Sequence, residues 1–415
     1  MISNIIITLV ILLMSAAILT KLYALPRNIW LLFLAQPLAM ASSPVIVFIG
    51  AIFSSNMISD ASLATLPVTM MILGVASATI PAAMLAKKKG RKIATLTGFA
   101  IALSACFLAT TAAMISSFAL FIFASFLFGV NSAFVQQMRF AAIESTQDAQ
   151  DIPKVLSILM LSGIFAAFLG PEIAVFSKDL IDSPHGYAGS FFSLSLLLIL
   201  AMALMAKFED PLVDISIQKG ESRPLSEIAS QPIFIIAILS AALGFSLMSY
   251  LMTATPLSMH HLHGHSLQET KWVIQSHIAA MFIPSLFTPW LVKKLGLKAL
   301  LFIGSVIYGV VVLISLSGEE VMHYWWALIL LGVGWNFLFL TGTSLLPLSY
   351  RESEKHKVQA MNDFILFGFQ AFASLMAGWV LFKAGWHGVV LSSLPFIVIL
   401  LGTTLYYHRY EKSPL

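Results

Sequence analysis

Charge is what this chain has least of: Asp, Glu, Lys and Arg make up 10% of its 415 residues, against roughly 25% in an ordinary soluble domain. Cysteine is scarcer still. Cys106 stands alone, which excludes an internal disulfide and a cysteine metal cage. No Gly-x-x-x-x-Gly-Lys-Ser/Thr segment occurs, so no ATP-binding loop of that kind supplies energy. The formal net charge is only +4, and no basic face interleaves with polar sequence, which argues against nucleic acid. Nothing in the sequence has the spacing of a clustered nucleophile, base or metal set, so a membrane-embedded enzyme is the weaker class and no cofactor is implied.

What fills the chain instead is apolar. Apolar residues make up 59% and mean hydropathy is +0.92, more than one soluble core hides, so lipid must solvate the rest. A bilayer span needs about 20 apolar residues in a helix, because lipid offers no partner to free backbone groups. Thirteen such stretches are predicted, near 2–20, 29–53, 61–86, 94–115, 117–141, 153–176, 187–206, 231–252, 271–292, 298–316, 324–345, 360–382 and 386–408. The long polar stretch from Lys207 to Gln231 divides them. The expected organisation is an extra N-terminal transmembrane helix (1–24), a six-helix bundle (25–206), a cytoplasmic linker (207–230) and a second six-helix bundle (231–415).

A basic signature occurs twice. Ala83-Met84-Leu85-Ala86-Lys87-Lys88-Lys89-Gly90-Arg91-Lys92 is echoed by Pro289-Trp290-Leu291-Val292-Lys293-Lys294-Leu295-Gly296-Leu297-Lys298. Both copies read apolar run, Lys-Lys, one residue, Gly, one residue, Lys. A parallel repeat of helices builds a cavity on its pseudo-symmetry axis. The expectation is a two-halved secondary transporter, a monomer, that moves a small organic solute by alternating access.

Orientation follows from Lys and Arg. Along the thirteen spans, 19 of the 23 gather on one side, Lys178, Lys271 and Lys383 lie on the other, and Arg139 falls inside a helix. Cytoplasmic loops carry the basic excess, so the C-terminus is expected inside and Met1 outside, in the periplasm if the membrane is a bacterial inner membrane. The stretch 2–20 has no basic residue before it and no clear small-x-small site, and Lys21 and Arg27 follow it. These features favour a retained helix over a cleaved leader.

Ionisable residues inside spans cost at least about 2.5–3.5 kcal/mol at mid-bilayer, so they mark protein-facing or wet positions. Ser132, Gln136 and Arg139 fall on one helix face, where Arg139 either holds an anionic solute group or snorkels to headgroups. Asn362 and Asp363 begin another polar face with Phe367, Gln370 and Ser374, and Asp363 is either a dipole-complementing acid or a gate. His277 is the proton-coupling candidate, since histidine titrates near neutrality, with a structural role as the alternative. Glu172, near an outer helix end, either pairs with His277 or meets water. His260, His261, His263 and His265 make a tempting but weak metal tract.

Twelve helices in two sixes, a charged linker and the turn Gly90-Arg91-Lys92 resemble the major facilitator superfamily. Of that family's loop signature, Lys88, Gly90, Arg91 and Lys92 match, while Ala83 replaces its first Gly and Lys87 stands where its acid belongs. Ser125 stands where the family often has an Arg before Gly129. The family's acid–arginine relay is therefore not expected, and Lys87 and Arg91 are left as gating candidates. Gly170-Pro171 is a fragment of an exporter signature without its flanking glycines (Ala166, Ala174). Gln137 to Ala142, Gly170-Pro171-Glu172, Val273 to His277 with Met281 to Ser285, and Gln359 to Phe364 resemble a bacterial branch with uptake systems for vitamins such as riboflavin, or for siderophores. The resemblance implies a pocket at mid-depth near Gln36, Met40, Asn131, Ser132, Phe245, Ser249, Tyr250, Trp335 and Asn336, and a coupling ion, H+. Efflux of drugs or metabolites by antiport is the alternative.

Overall fold

A computed structural model of the chain describes residues 2–146, 148, 151–211 and 223–412. Among these residues every regular element is helical, as lipid requires when each backbone group must find its partner within its own segment. The chain divides into two compact units, Met1–Asp214 and Ile215–Leu415. Most of the expected linker, 212–222, lies outside the described residues.

The first unit holds α1 (Ile2–Leu22), α2 (Arg27–Met40), α3 (Ser42–Ser55), α4 (Leu66–Lys89), α5 (Arg91–Met114), α6 (Phe118–Gln136), α7 (Met138–Glu144), α8 (Ile152–Phe176) and α9 (Ala188–Met205). The second holds α10 (Leu225–Ala229), α11 (Pro232–Leu257), α12 (Leu267–Phe282), α13 (Thr288–Ser317), α14 (Val321–Leu345), α15 (Lys355–Ser392) and α16 (Leu394–Lys412). Eleven stretches of the described residues are long and apolar enough to cross a bilayer. That is two fewer than the sequence reading. α12 is only 16 residues long, and Lys357–Arg409 runs as one apolar stretch of 53, bent at Gly385 where φ is 68°.

Inside each unit the neighbours repeat. In the first, α4 packs on α6, α5 on α6 and α9, and α2 on α8 and α9. In the second, α12 packs on α14, α13 on α14 and α16, and α11 on α15 and α16. Small residues allow the closest approaches. A methyl on Gly129 would collide with the Met71 carbonyl on α4, and one on Gly332 of α14 would stand 2.8 Å from the His277 carbonyl on α12. The two basic turns also share a backbone. Gly90 has φ 88° and ψ 162°, Gly296 φ 77° and ψ 160°, a region that glycine alone enters freely.

Two expected helices are locally distorted, although each still runs as one span. The stretch 29–53 is split into α2 and α3 at Ala41, 14 residues on either side. Pro44 lacks the N–H that would continue the ladder across this point. The stretch 117–141 is split at Gln137 into α6 and α7. α1 stays outside the packing: Ile6, Ile7 and Leu13 are more than half exposed, suited to lipid. Leu12 and Ala16 dock against Phe33 of α2 and Ile158 of α8, with Leu19 packed beside them.

Candidate functional site

The break at Ala41 gathers the polar residues of the first unit. Gln36 Nε2 reaches Met40 Sδ at 3.4 Å and donates to the Leu159 carbonyl of α8 at 3.3 Å. Asn131 Nδ2, on α6, donates to the Ala39 carbonyl at 3.3 Å, and the Ser132 and Ser43 hydroxyls are 2.8 Å apart. Gly170 brings α8 against the break, since a Cβ there would meet the Ala41 carbonyl at 2.5 Å. Gln36, Met40, Asn131 and Ser132 therefore form one cluster. Gln136 and Arg139, placed on the same face as Ser132 by sequence, lie beyond it. Both are exposed, the helix is distorted between them at Gln137, and the Arg139 guanidinium lies over the Phe140 ring at 4.8 Å.

The second unit has an aromatic counterpart on α11 and α14. Trp335 and Phe339, one helical turn apart, stack at 5.1 Å and 9°, and Phe245 meets Trp335 edge-on at 5.2 Å and 82°. Asn336 Nδ2 donates to the Met281 carbonyl at 2.8 Å and to Ser285 Oγ at 2.7 Å. Among the described residues, Trp335 Nε1, Asn336 Oδ1 and Asn131 Oδ1 are buried without a hydrogen-bond partner, a deficit of about 1–3 kcal/mol each. Ser249 accepts from Gln370 Nε2 at 3.0 Å, and the Tyr250 and Ser392 hydroxyls are 2.8 Å apart. Those two pin α11 to α15.

The titratable candidates separate by position. Asp363 is the ninth residue of α15, past the first turn in which a helix dipole acts. The dipole reading is thereby removed; the side chain is half-buried and accepts from Asn362 Nδ2 at 3.0 Å. His277 is fully buried, with Nδ1 at 2.7 Å from the Leu328 carbonyl of α14. A carbonyl only accepts, so Nδ1 carries the proton and the ring ties α12 to α14. Glu172 is 5% exposed, so it does not meet water as one reading had it; its Oε1 accepts from Asn4 of α1 at 3.4 Å. Lys271, counted as an outer loop cation, is 1% exposed within α12.

Arg91 has an acid after all. Its Nε donates to Glu144 Oε2 at 2.8 Å and its Nη2 to Oε1, while Nη1 reaches Gln137 Oε1 at 3.2 Å. Glu144 ends α7 and lies 53 residues away in sequence, which hid the pair. Lys87 is exposed beside this turn. The second unit has a deeper pair that sequence reading missed. Arg223 donates from Nε and Nη2 to the buried Glu354 at 2.9 and 2.8 Å. These bonds hold the Glu354 carboxyl well below the usual carboxylate range and push Arg223 up.

The histidine tract is knitted to another unforeseen acid. Glu319 lies 2.9 Å from His263 Nε2 and 3.3 Å from His387 Nδ1. His265 Nε2 donates to the Glu319 carbonyl at 2.7 Å, and His260 Nδ1 to the His265 carbonyl at 2.9 Å. His261 stands against the His260 ring at 5.7 Å. Among the described residues no three His, Cys, Asp or Glu side chains are placed to share a metal ion.

Comparison with known proteins accounts for this arrangement. Residues 29–367 match the family model described as Major Facilitator Superfamily. The chain is 34% identical to the riboflavin transporter RfnT of Brucella anthropi over 385 residues, 92% of this chain and 96% of that one. It is 28% identical to two uncharacterized MFS-type transporters of Bacillus subtilis, YddS (88% of this chain, 86% of that one) and YdeG (90% of each). With a duplicated helical pattern inside its two units and a family match over most of its length, the chain belongs to the major facilitator superfamily, as a transporter of the membrane.

Proposed function

We propose that this chain is a proton-coupled secondary transporter that takes up a flat organic solute of the riboflavin class by alternating access. The observation that carries the solute class is the aromatic group of α14 and α11. Trp335 and Phe339 present near-parallel rings, and a planar heteroaromatic solute stacks on such a surface with about 0.5–1.5 kcal/mol beyond its area burial. The unpaired Trp335 Nε1 and Asn336 Oδ1 of the same unit are a donor and an acceptor such a ring system needs. The likeness to RfnT points the same way. A siderophore is the less favoured cargo, for among the described residues no fixed charge pairs with these groups.

Asp363, half-buried in a spanning helix and clear of its first turn, is the residue we assign to proton coupling. His277 fits a structural bond better, being wholly buried with its Nδ1 engaged. We also assign thirteen spans. A helix of 53 residues would extend about 80 Å at 1.5 Å per residue, against a hydrocarbon core of about 30 Å, so Lys357–Arg409 must cross twice. α12 continues through the short helix Ile283–Phe287 and α13 as far as Gly296, long enough for one span before α13 resumes as the next. This gives one extra helix (1–24), six (25–206), a linker (207–230) and six (231–415), with the basic loops in the cytoplasm of a bacterial cell.

The test is growth. A riboflavin-requiring bacterium that expresses this chain should grow on limiting riboflavin. Trp335→Ala should lower initial uptake about tenfold, the effect of 1.4 kcal/mol, and Trp335→Phe should keep most of it. No rescue, or equal uptake by wild type and Trp335→Ala at matched protein levels, contradicts the assignment.

A further inference from the structure

A group of titratable side chains gathers in the second unit, at the end of α13 remote from Gly296. Glu319, in the connection from α13 to α14, sits between two imidazoles. Its Oε2 lies 2.9 Å from Nε2 of His263, in the connection from α11 to α12, and its Oε1 3.3 Å from Nδ1 of His387, just past the bend in α15. One carboxylate thus joins three segments far apart in sequence. The other nitrogen of His263, Nδ1, is 2.9 Å from the Ser258 carbonyl. A carboxylate and a carbonyl only accept, so both ring nitrogens carry protons in this arrangement and His263 is a cation. The Tyr324 hydroxyl also stands 3.0 Å from Nδ1. It is the donor that meets this nitrogen once the proton has left, so the ring has a partner in either state.

The surrounding titratable groups are engaged elsewhere. His260 Nδ1 and His265 Nε2 donate to the backbone carbonyls of His265 and Glu319, and His261 stands against the His260 ring. Glu269 of α12 caps Ser266 and faces His265. From α14 come Glu320 just before its first turn, His323 with its ring against Gly318, and Tyr324. Exposed Lys383 precedes His387 on α15.

We propose that Glu319, His263 and His387 form a proton-operated clasp over this end of the second unit. While both imidazoles are charged, the carboxylate holds the α11–α12 connection and the bend of α15 through charge-assisted bonds, roughly twice as strong as neutral ones. Histidine changes charge between about pH 5 and 8. The clasp is therefore shut on the acid side of that range and loosens as pH rises through it, when His263 Nδ1 turns from donor to Ser258 into acceptor from Tyr324. Ties that do not titrate remain, among them the Trp386 Nε1 bond to the Ser315 carbonyl at 3.2 Å, so this end slackens without unfolding. Asp363 lies towards the other end of α15, separate from the clasp. That this end meets the outer medium rests on the orientation proposed above; the clasp itself does not.

Hydrogen exchange of the full chain in detergent tests it. Going from pH 8 to pH 5.5, and corrected for intrinsic exchange, amides of 258–266 and 318–322 should gain about fivefold in protection, the worth of making neutral bonds charge-assisted. Glu319→Gln keeps an accepting oxygen without the charge and should remove that gain, as should His263→Gln. His387→Gln, at a side chain 54% exposed, spares the packed interior and should reduce it. His185→Gln, in the first unit, should leave it whole. Equal protection of wild type at both pH values overturns the proposal. So does a gain undiminished in Glu319→Gln or His387→Gln, which would assign it to His260, His265 or His323. If riboflavin uptake failed while the gain held, the solute assignment alone would fall.

Discussion

Asn131 and Asn336 are 205 residues apart and occupy equivalent helices, α6 and α14. Each donates Nδ2 to a neighbouring helix carbonyl and keeps Oδ1 buried and unpaired. Sequence alone marks both as amides in apolar runs. It does not reveal the partners, because Ala39 and Met281 are brought near only by packing. Acids were harder still: Glu144, Glu319 and Glu354 look like loop residues until Arg91, His263 and Arg223 are placed against them. Two predictions belong here. Asp363→Asn should abolish uptake driven by a pH gradient while sparing solute exchange, and unchanged driven uptake would remove Asp363 from coupling. Glu354 has a folded-state pKa below its ordinary value of about 4.5, so its contribution is fully present above pH 4.5 and is lost as pH falls below it. Glu354→Gln should therefore melt lower than wild type at pH 7, and the gap should begin to narrow as pH drops from 4.5 towards 3. A gap that persisted undiminished at pH 3 would contradict the ion-pair account.

At the scale of elements, apolar length is the most readable signal and helix interruption the least. Pro44 distorts the first long helix at Ala41, while Pro81 and Pro171 lie inside α4 and α8 with no such interruption. The consequence of a proline thus depends on the neighbours available to satisfy the freed carbonyl. Next to the Met40 carbonyl, which Pro44 frees, Ser42 and Asn131 both donate to the Ala39 carbonyl. The α4–α6 contact depends on Gly129, where any Cβ would run into the Met71 carbonyl. Gly129→Val should force these helices apart, costing about 3 kcal/mol by overpacking, seen as a lower melting temperature and loss of folded yield. Retained stability would show that the close approach is dispensable. Deleting 2–24 should leave the remaining bundle folded, because among the described side chains of α1 only Leu12 and Ala16 are buried; aggregation of the truncated chain would contradict that.

For the whole molecule, the duplication was legible because two glycines with one job, Gly90 and Gly296, sit in matching registers, and the structure gives them one conformation. The number of spans was less legible: Gly385 separates two helices of near-continuous apolar sequence, and the charged Lys271 lies within α12. Thirteen spans predict that, with Cys106→Ser, a cysteine at position 3 is labelled from outside and one at position 226 only from inside; labelling from the same side would require another count. The central claim, that this chain carries a riboflavin-class solute across a membrane, is tested most directly by counterflow. Proteoliposomes preloaded with unlabelled riboflavin should transiently accumulate labelled riboflavin well above protein-free vesicles. Accumulation no greater than in protein-free vesicles, from protein shown to be folded, would contradict it.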